Sequence, residues 1–352
     1  MPDQLKLKAP PREILIVMLS ALGDAVHVLP VVNALKRKWP ESRITWVIQP
    51  VPYELVANHE AVDDFIIFHR RRGRHAAQSY RELRRAFRGR KFDLLINLQV
   101  YFKAGLITAM APAKVKLGFD RRRARDMNWL FTNARIPPRP MQHVQDQYLE
   151  FVEYLGIDPE PVEWKIQLST EERAQQSAFF EPLGRTCAIV VGTSKPAKNW
   201  APNRYARVIE ALESEFGLRT IIVGGPSEFE RDLTERIMNT SRVKPINTLG
   251  NDIRKLVYLL DGVSLVISPD TGPLHIARAL DKPVIGLYGY TNPKRYGPYR
   301  KYTDLLVDGY ALNAYDNYPM SMEYRQDGMT RVTVGAVLEK VRLAMTKYLA
   351  GV

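Results

Sequence analysis

At 352 residues, with 45% hydrophobic and 25% charged residues, the chain has the make-up of a soluble globular protein of about two domains. Lys and Arg outnumber Asp and Glu by 51 to 38, and the formal net charge of +13 favours polyanionic partners: nucleic acid, anionic lipid headgroups or phosphorylated glycans. The one cysteine, Cys187, excludes an internal disulfide and a cysteine-based metal cluster, no apolar run is long enough to span a bilayer, and the amino terminus lacks a signal-peptide pattern, so a cytoplasmic protein that meets any membrane from its surface is expected.

Residues 13–19 form an apolar run that predicts a first strand. The loop Ser20-Ala21-Leu22-Gly23-Asp24 follows, and then a helical stripe of Val28, Leu29, Val31, Val32 and Leu35 ends near Trp39-Pro40. Residues 44–48 return as a strand, which completes a β-α-β unit, the building block of a doubly wound sheet. The loop lacks the Gly-x-Gly-x-x-Gly fingerprint and the Gly-Lys-Ser/Thr of a P-loop. It carries instead a carboxylate, Asp24, at the carboxyl edge of the strand, where open α/β sheets bind ligands. The alternative role for Asp24 is a helix cap.

Residues 65–68 and 93–98 predict further strands. Between them the chain turns basic: Arg70, Arg71, Arg72, Arg74, Arg81, Arg84, Arg85, Arg88, Arg90 and Lys91, with Glu82 opposing them. Tyr80, Leu83 and Phe87 keep helical spacing through this run. A second basic cluster, Arg121, Arg122, Arg123 and Arg125, follows 116–120. The two clusters read as anion-binding surfaces or, more plainly, as solvated faces. A helix is expected over 145–155, an extended piece over 164–168 and a helix over 170–180, with the inter-domain link across the region of Pro159 and Pro161.

The pattern then restarts. Residues 187–191 predict a strand, 205–216 a helix, 219–223 a strand, 247–249 a short strand and 253–260 a helix. Residues 265–267 are a buried strand that turns through Asp270-Thr271-Gly272 into a helix, with Pro273 where a first-turn proline belongs and Lys282-Pro283 as the stop. A strand at 284–287 and a terminal helix over 332–349 close the chain. Free backbone N–H groups and the helix dipole at such a turn favour an anion, typically a phosphate. Gly192-Thr193-Ser194 and Gly224-Gly225 offer two further close-approach turns, Lys195 and Lys198 supply point charges, and Glu228 can accept hydrogen bonds from ribose hydroxyls. Together these read as a nucleotide-diphosphate site.

Taken in order, Ser20-x-x-Gly23-Asp24 with His27 and Pro30, Lys198-x-Trp200-x-Pro202, Gly224-x-Pro226-x-Glu228, Asp270-Thr271-Gly272-x-x-His275 and the segment Tyr288-Gly289 with Thr291-Asn292-Pro293 resemble the bacterial lipopolysaccharide heptosyltransferases, a family of GT-B glycosyltransferases. The resemblance covers nearly the whole chain. It implies an α/β protein of GT-B class: two Rossmann-like doubly wound domains facing a cleft, an acceptor-binding domain over 1–170 and a nucleotide-sugar domain over 180–331, with the helix at 332–352 free to pack back on the first. It implies inverting, metal-independent transfer of heptose from ADP-L-glycero-D-manno-heptose to the inner core of lipopolysaccharide at the cytoplasmic face of the inner membrane, by a monomer with no cofactor.

Residue by residue, the resemblance makes Asp24 the general base. Lys198 neutralises the diphosphate, Thr193, Ser194, Asp270, Thr271, Gly272 and His275 hold diphosphate and sugar, and Glu228 holds the ribose. Arg70, Arg72, Arg121, Arg122, Arg123 and Arg125 would then meet the anionic acceptor. No Asp-x-Asp motif is present, and the six histidines lack metal-ligand spacing. Two other readings are a family member using another nucleotide sugar or acceptor, and a basic nucleic-acid-binding protein, for which no sequence motif is present.

Overall fold

Apolar runs without polar alternation belong to strands covered on both faces, and the chain uses them twice. The computed structural model describes residues 4–313 and 315–350, divided into two units, Met1–Gln167 and Leu168–Val352. The N-terminal unit runs β1 (Glu13–Val17), α1 (Leu22–Lys38), β2 (Arg43–Ile48), α2 (Pro50–Val56), β3 (Asp64–Ile67), α3 (Ala76–Ala86), β4 (Phe92–Asn97), α4 (Phe102–Met110), β5 (Ala113–Gly118), β6 (Ala134–Arg135) and α5 (Val144–Tyr154). The C-terminal unit runs α6 (Thr170–Phe180), β7 (Thr186–Val190), α7 (Pro202–Ser214), β8 (Arg219–Val223), α8 (Glu228–Thr240), β9 (Ile246–Asn247), α9 (Ile253–Gly262), β10 (Leu265–Pro269), α10 (Gly272–Ala279), β11 (Val284–Tyr288), α11 (Pro293–Tyr296), β12 (Leu306–Asp308), α12 (Gly328–Arg331) and α13 (Val334–Lys347).

Each unit holds one parallel sheet of six strands, ordered β3-β2-β1-β4-β5-β6 in the first and β12-β11-β10-β7-β8-β9 in the second. Counted within each unit, both orders are 3-2-1-4-5-6, the doubly wound order of Rossmann-like folds. The central strands are the driest: Ile14, Leu15, Ile16 and Val17 are fully buried, as are Val266 and Ile267. Burial at that level gives about 1.5–3 kcal/mol per large apolar side chain. The strand order reverses between β1 and β4, paired Val17 to Asn97, and between β7 and β10, paired Ile189 to Ile267. Crevices open at the carboxyl ends of strands where order reverses.

The α/β alternation and the two doubly wound sheets expected from the sequence are those observed. Four elements of the first unit lie outside the expected set: α2, α4, β5 and the two-residue β6. The sequence of β5, Ala-Lys-Val-Lys-Leu-Gly, alternates lysine with apolar residues, and this strand pairs with β4 on one side and only the two-residue β6 on the other. The terminal helix α13 belongs to the C-terminal unit, where Lys347 Nζ donates to Asp304 Oδ2 at 2.7 Å and Arg185 Nη2 to Leu349 O at 3.4 Å. No helix among the described residues is long and apolar enough to cross a membrane.

Candidate active site

In the C-terminal unit the crevice is built from the loops after β7 and β10. Chain direction carries β10 out of the sheet at Pro269, and Asp270 follows as a carboxylate only 7% exposed. Thr271 is the residue before α10, and Pro273 stands in the first turn, as its missing N–H predicts. The loop after β7 makes a short turn over Pro196–Lys198 that brings Lys198 back across 72 residues of sequence. Its ammonium donates to Asp270 Oδ2 at 2.7 Å and to Asp270 O at 3.1 Å. Thr291 Oγ1 donates to the same Oδ2 at 2.7 Å, and His275 Nε2 lies 3.7 Å from Oδ1. Burial pushes the Asp270 carboxyl up, yet His275 and Lys198 outweigh it and hold the group well below the usual carboxylate range.

Asp270 therefore stays ionised and orders Lys198. The carboxylate fixes both the ammonium and the turn. Thr193 tightens its own loop, with Oγ1 donating to Lys195 O at 2.7 Å, and Ser194 is exposed beside it. Trp200 anchors the segment from behind, its indole N–H donating to Val332 O at 2.9 Å.

In the N-terminal unit the matching crevice is built from the loops after β1 and β4. Gln99, after β4, accepts from Leu19 N at 3.3 Å and donates to Ser20 O at 2.5 Å, which ties the loop after β1 to the loop after β4. Asp24 is the third residue of α1, not its cap, and its Oδ2 accepts from Ala21 N at 2.8 Å. The Tyr148 hydroxyl donates to Oδ1 at 3.4 Å. The buried pair His27 and Gln145 clamps α1 to α5, Nδ1 to Oε1 at 2.9 Å and Nε2 of Gln145 to His27 O at 2.9 Å. Asp24 thus stands at the carboxyl edge of β1 on a helix end held by α5.

The model of glycosyltransferase family 9 (heptosyltransferase) matches residues 80–314. The lipopolysaccharide core heptosyltransferase OpsX of Haemophilus influenzae is 31% identical over 305 residues, 86% of each chain. The chain belongs to glycosyltransferase family 9. Its fold is also that of two solved structures: a family 9 glycosyltransferase from Veillonella parvula (TM-score 0.78, 22% identity, 94% and 96% of the two chains) and the E. coli heptosyltransferase WaaC with ADP-2-deoxy-2-fluoro heptose (TM-score 0.73, 22% identity, 94% and 99%).

Within this family 9 enzyme the structure sorts the arginines that the sequence grouped. Arg123 is taken up by the fold. Its guanidinium bonds Asp120 Oδ2 at 2.5 Å, Glu150 Oε1 at 2.7 Å and Pro137 O at 3.0 Å, and its side chain is 17% exposed. Two buried carboxylates and a backbone carbonyl take three of its five N–H donors, so this arginine is held by the fold of its own unit. Arg121 and Arg122 are exposed and, with Arg135, Ile136, Pro137, Pro138 and Tyr154, line a groove of about 460 Å³. Arg121 stacks on Trp129 at 4.4 Å and Arg125 reaches over Tyr101 at 6.0 Å. Arg70 and Arg72 are exposed after β3, whereas Arg71 pairs with Glu82 at 2.6 Å and Arg90 with Asp64 at 2.6 Å.

Glu228 is the exposed first residue of α8, while Glu230 reaches the glycine turns. Its Oε1 accepts from Gly225 N at 2.7 Å, and a Cβ at Gly192, whose φ is +82°, would stand 2.2 Å from Glu230 Cγ. Glycine at 192 is thus required twice, by its backbone angle and by this carboxylate. The spacing Ser227-x-x-Glu230 of a capping box was the available signal for Glu230. Gln99, Tyr148 and Gln145 carried no such signal, because their partners lie 79 to 124 residues away. Among the described residues no group of three or more His, Cys, Asp or Glu side chains is placed to hold a metal ion.

Proposed function

We propose that this family 9 glycosyltransferase moves L-glycero-D-manno-heptose from ADP-heptose to the inner core of lipopolysaccharide, with inversion and without a metal. The observation that carries the reading is the Lys198–Asp270–Thr291 cluster, an ammonium held ready at the β7/β10 crevice. Similarity to OpsX, named for lipopolysaccharide core transfer, supports the acceptor class. The acceptor hydroxyl attacks the anomeric carbon, the bond from that carbon to the diphosphate oxygen breaks, and Asp24 takes the hydroxyl proton. An aspartate is a weak base, and it serves because the hydroxyl acidifies as the new bond forms. Lys198 meets the negative charge that grows on departing ADP, where a preorganised cation lowers the barrier. Thr193, Ser194, Thr271, Gly272 and His275 line the diphosphate and sugar, and Glu228 accepts the ribose hydroxyls. Arg70, Arg72, Arg121, Arg122 and Arg125 meet acceptor carboxylates and phosphates, for which the guanidinium fork is suited. The acceptor is lipid-linked, so the enzyme works at the cytoplasmic face of the inner membrane.

The test is transfer by the purified protein from ADP-heptose to acceptors truncated at successive core positions, with chelator present and the product's anomeric configuration read by NMR. Transfer to one truncation with inverted configuration is expected. Turnover only with a different nucleotide sugar would replace the donor in this reading, and turnover lost on chelation would remove its metal independence.

A further inference from the structure

Four large apolar side chains stand in the solvent on two loops of the N-terminal unit: Tyr101 (44% exposed), Phe102 (42%), Met127 (58%) and Leu130 (54%). The fold ties these loops into one platform. Arg125 N donates to Val100 O at 2.8 Å, and the buried Asn128 bridges the loops by donating to Tyr101 O at 2.6 Å and accepting from Asn97 Nδ2 at 3.1 Å. The Phe102 ring meets Phe131 edge-on at 5.5 Å. Asp126 and Met127 both take the left-handed region, φ +51° and +57°, a conformation that residues with a side chain seldom adopt. Met127 is the most exposed of the four.

Cations surround this apolar centre. Arg121 and Arg135 lie over the Trp129 ring at 4.4 and 5.6 Å from its centroid, and Arg125 stands over Tyr101 at 6.0 Å. Lys103 follows Phe102, and burial together with the nearby charge of Arg70 lowers its ammonium pKa. Asp126 is the acidic residue of the 121–130 loop. Both loops leave the sheet at the carboxyl ends of β4 and β5, the same edge that β1 leaves toward Asp24.

Exposed apolar side chains gathered in one place and rimmed mainly by cations mark an interaction site. Aromatic rings and long apolar side chains backed by Arg and Lys are the composition that settles at a lipid headgroup boundary. We propose that the platform formed by residues 101–103 and 121–130 docks the enzyme on an anionic lipid bilayer. Phe102, Met127 and Leu130 enter the boundary between headgroups and acyl chains, and Lys103 meets lipid phosphates. The inference rests on the reading that the acceptor is lipid-linked, and it names the surface that brings the Asp24 edge to that acceptor.

The test is flotation of the full chain with phosphatidylcholine vesicles, with and without phosphatidylglycerol, all free of glycolipid. Binding is expected to the phosphatidylglycerol vesicles, to weaken with salt, and to fall about 10-fold or more in the double variant Met127→Ser/Leu130→Ser. Both positions are exposed, so the variant keeps its fold, checked by ADP binding. Its transfer to a delipidated, water-soluble acceptor stays at the wild-type rate. The docking surface is overturned if wild type leaves glycolipid-free anionic vesicles unbound, if the double variant floats as well as wild type, or if the variant also loses transfer to the soluble acceptor. Vesicle binding by a protein that transfers no heptose would keep the surface and remove the reaction reading.

Discussion

The crevice between β1 and β4 and the crevice between β7 and β10 occupy the same place in the same strand order, yet they are furnished differently. The first is closed by amide groups, Gln99 against Leu19 and Ser20, with Asp24 on the adjoining helix end. Arg70, Arg72, Arg121 and Arg122 stand exposed on the loops after β3 and β5. The second encloses a buried ion pair, Lys198 with Asp270, at 2.7 Å and with side chains 16% and 9% exposed. A shared topology supplies the position of a site, and the loops supply its chemistry. On the proposed reading, the first crevice supplies a proton acceptor and the second a cation for the diphosphate.

The sharpest way to break this division is Asp24→Asn, which keeps size and the bond from Ala21 N but removes the proton acceptor. Its kcat should fall by at least about 100-fold with ADP affinity unchanged. Single-turnover kinetics beside calorimetry reads both, and near-normal kcat would place the base elsewhere. Next in size is Arg123→Ala. Removing it leaves Asp120 and Glu150 buried without their cation, so the N-terminal unit should lose about 3 kcal/mol in denaturant titrations. Arg121→Ala with Arg122→Ala should leave stability within about 1 kcal/mol and raise KM for the acceptor alone. Equal stability losses from both changes would restore the uniform basic cluster.

Lys198→Ala tests the other crevice. ADP should bind roughly 10- to 100-fold more weakly, since a charge-assisted contact is worth about 1.5–3 kcal/mol. Calorimetry showing equal affinity would take Lys198 out of the site. The smallest effect concerns His59, buried against Trp164 O at 2.9 Å in the N-terminal unit. Burial lowers its pKa below the ordinary 6.5, against the opposing pull of the Trp164 carbonyl and Glu60, while Lys165 adds to the lowering. The unfolded chain then binds the extra proton, so this stability is full above pH 6.5 and is lost as pH falls below it through the folded value. Melting curves across that window should slope more steeply in wild type than in His59→Gln. Parallel slopes would mean that His59 titrates alike in both states.

The sequence by itself determined the α/β alternation, the two successive sheets and the turns that carry Asp24, Lys198 and Asp270. Buried parallel strands read as apolar runs, and their breakers are local. The strand β5 escaped because its lysines alternate near a sheet edge, and α2 and α4 escaped with no cap or strong stripe to announce them. Only the tertiary structure decided which charges work inward. Arg121 and Arg123 are two residues apart in identical company, but only Arg123 meets Glu150, 27 residues on. Glu228 and Glu230 share one helix turn, and only Glu230 faces the glycines. Local pattern depends on neighbours a few residues away, whereas the fate of a charge depends on which distant loop removes its water and supplies its partner.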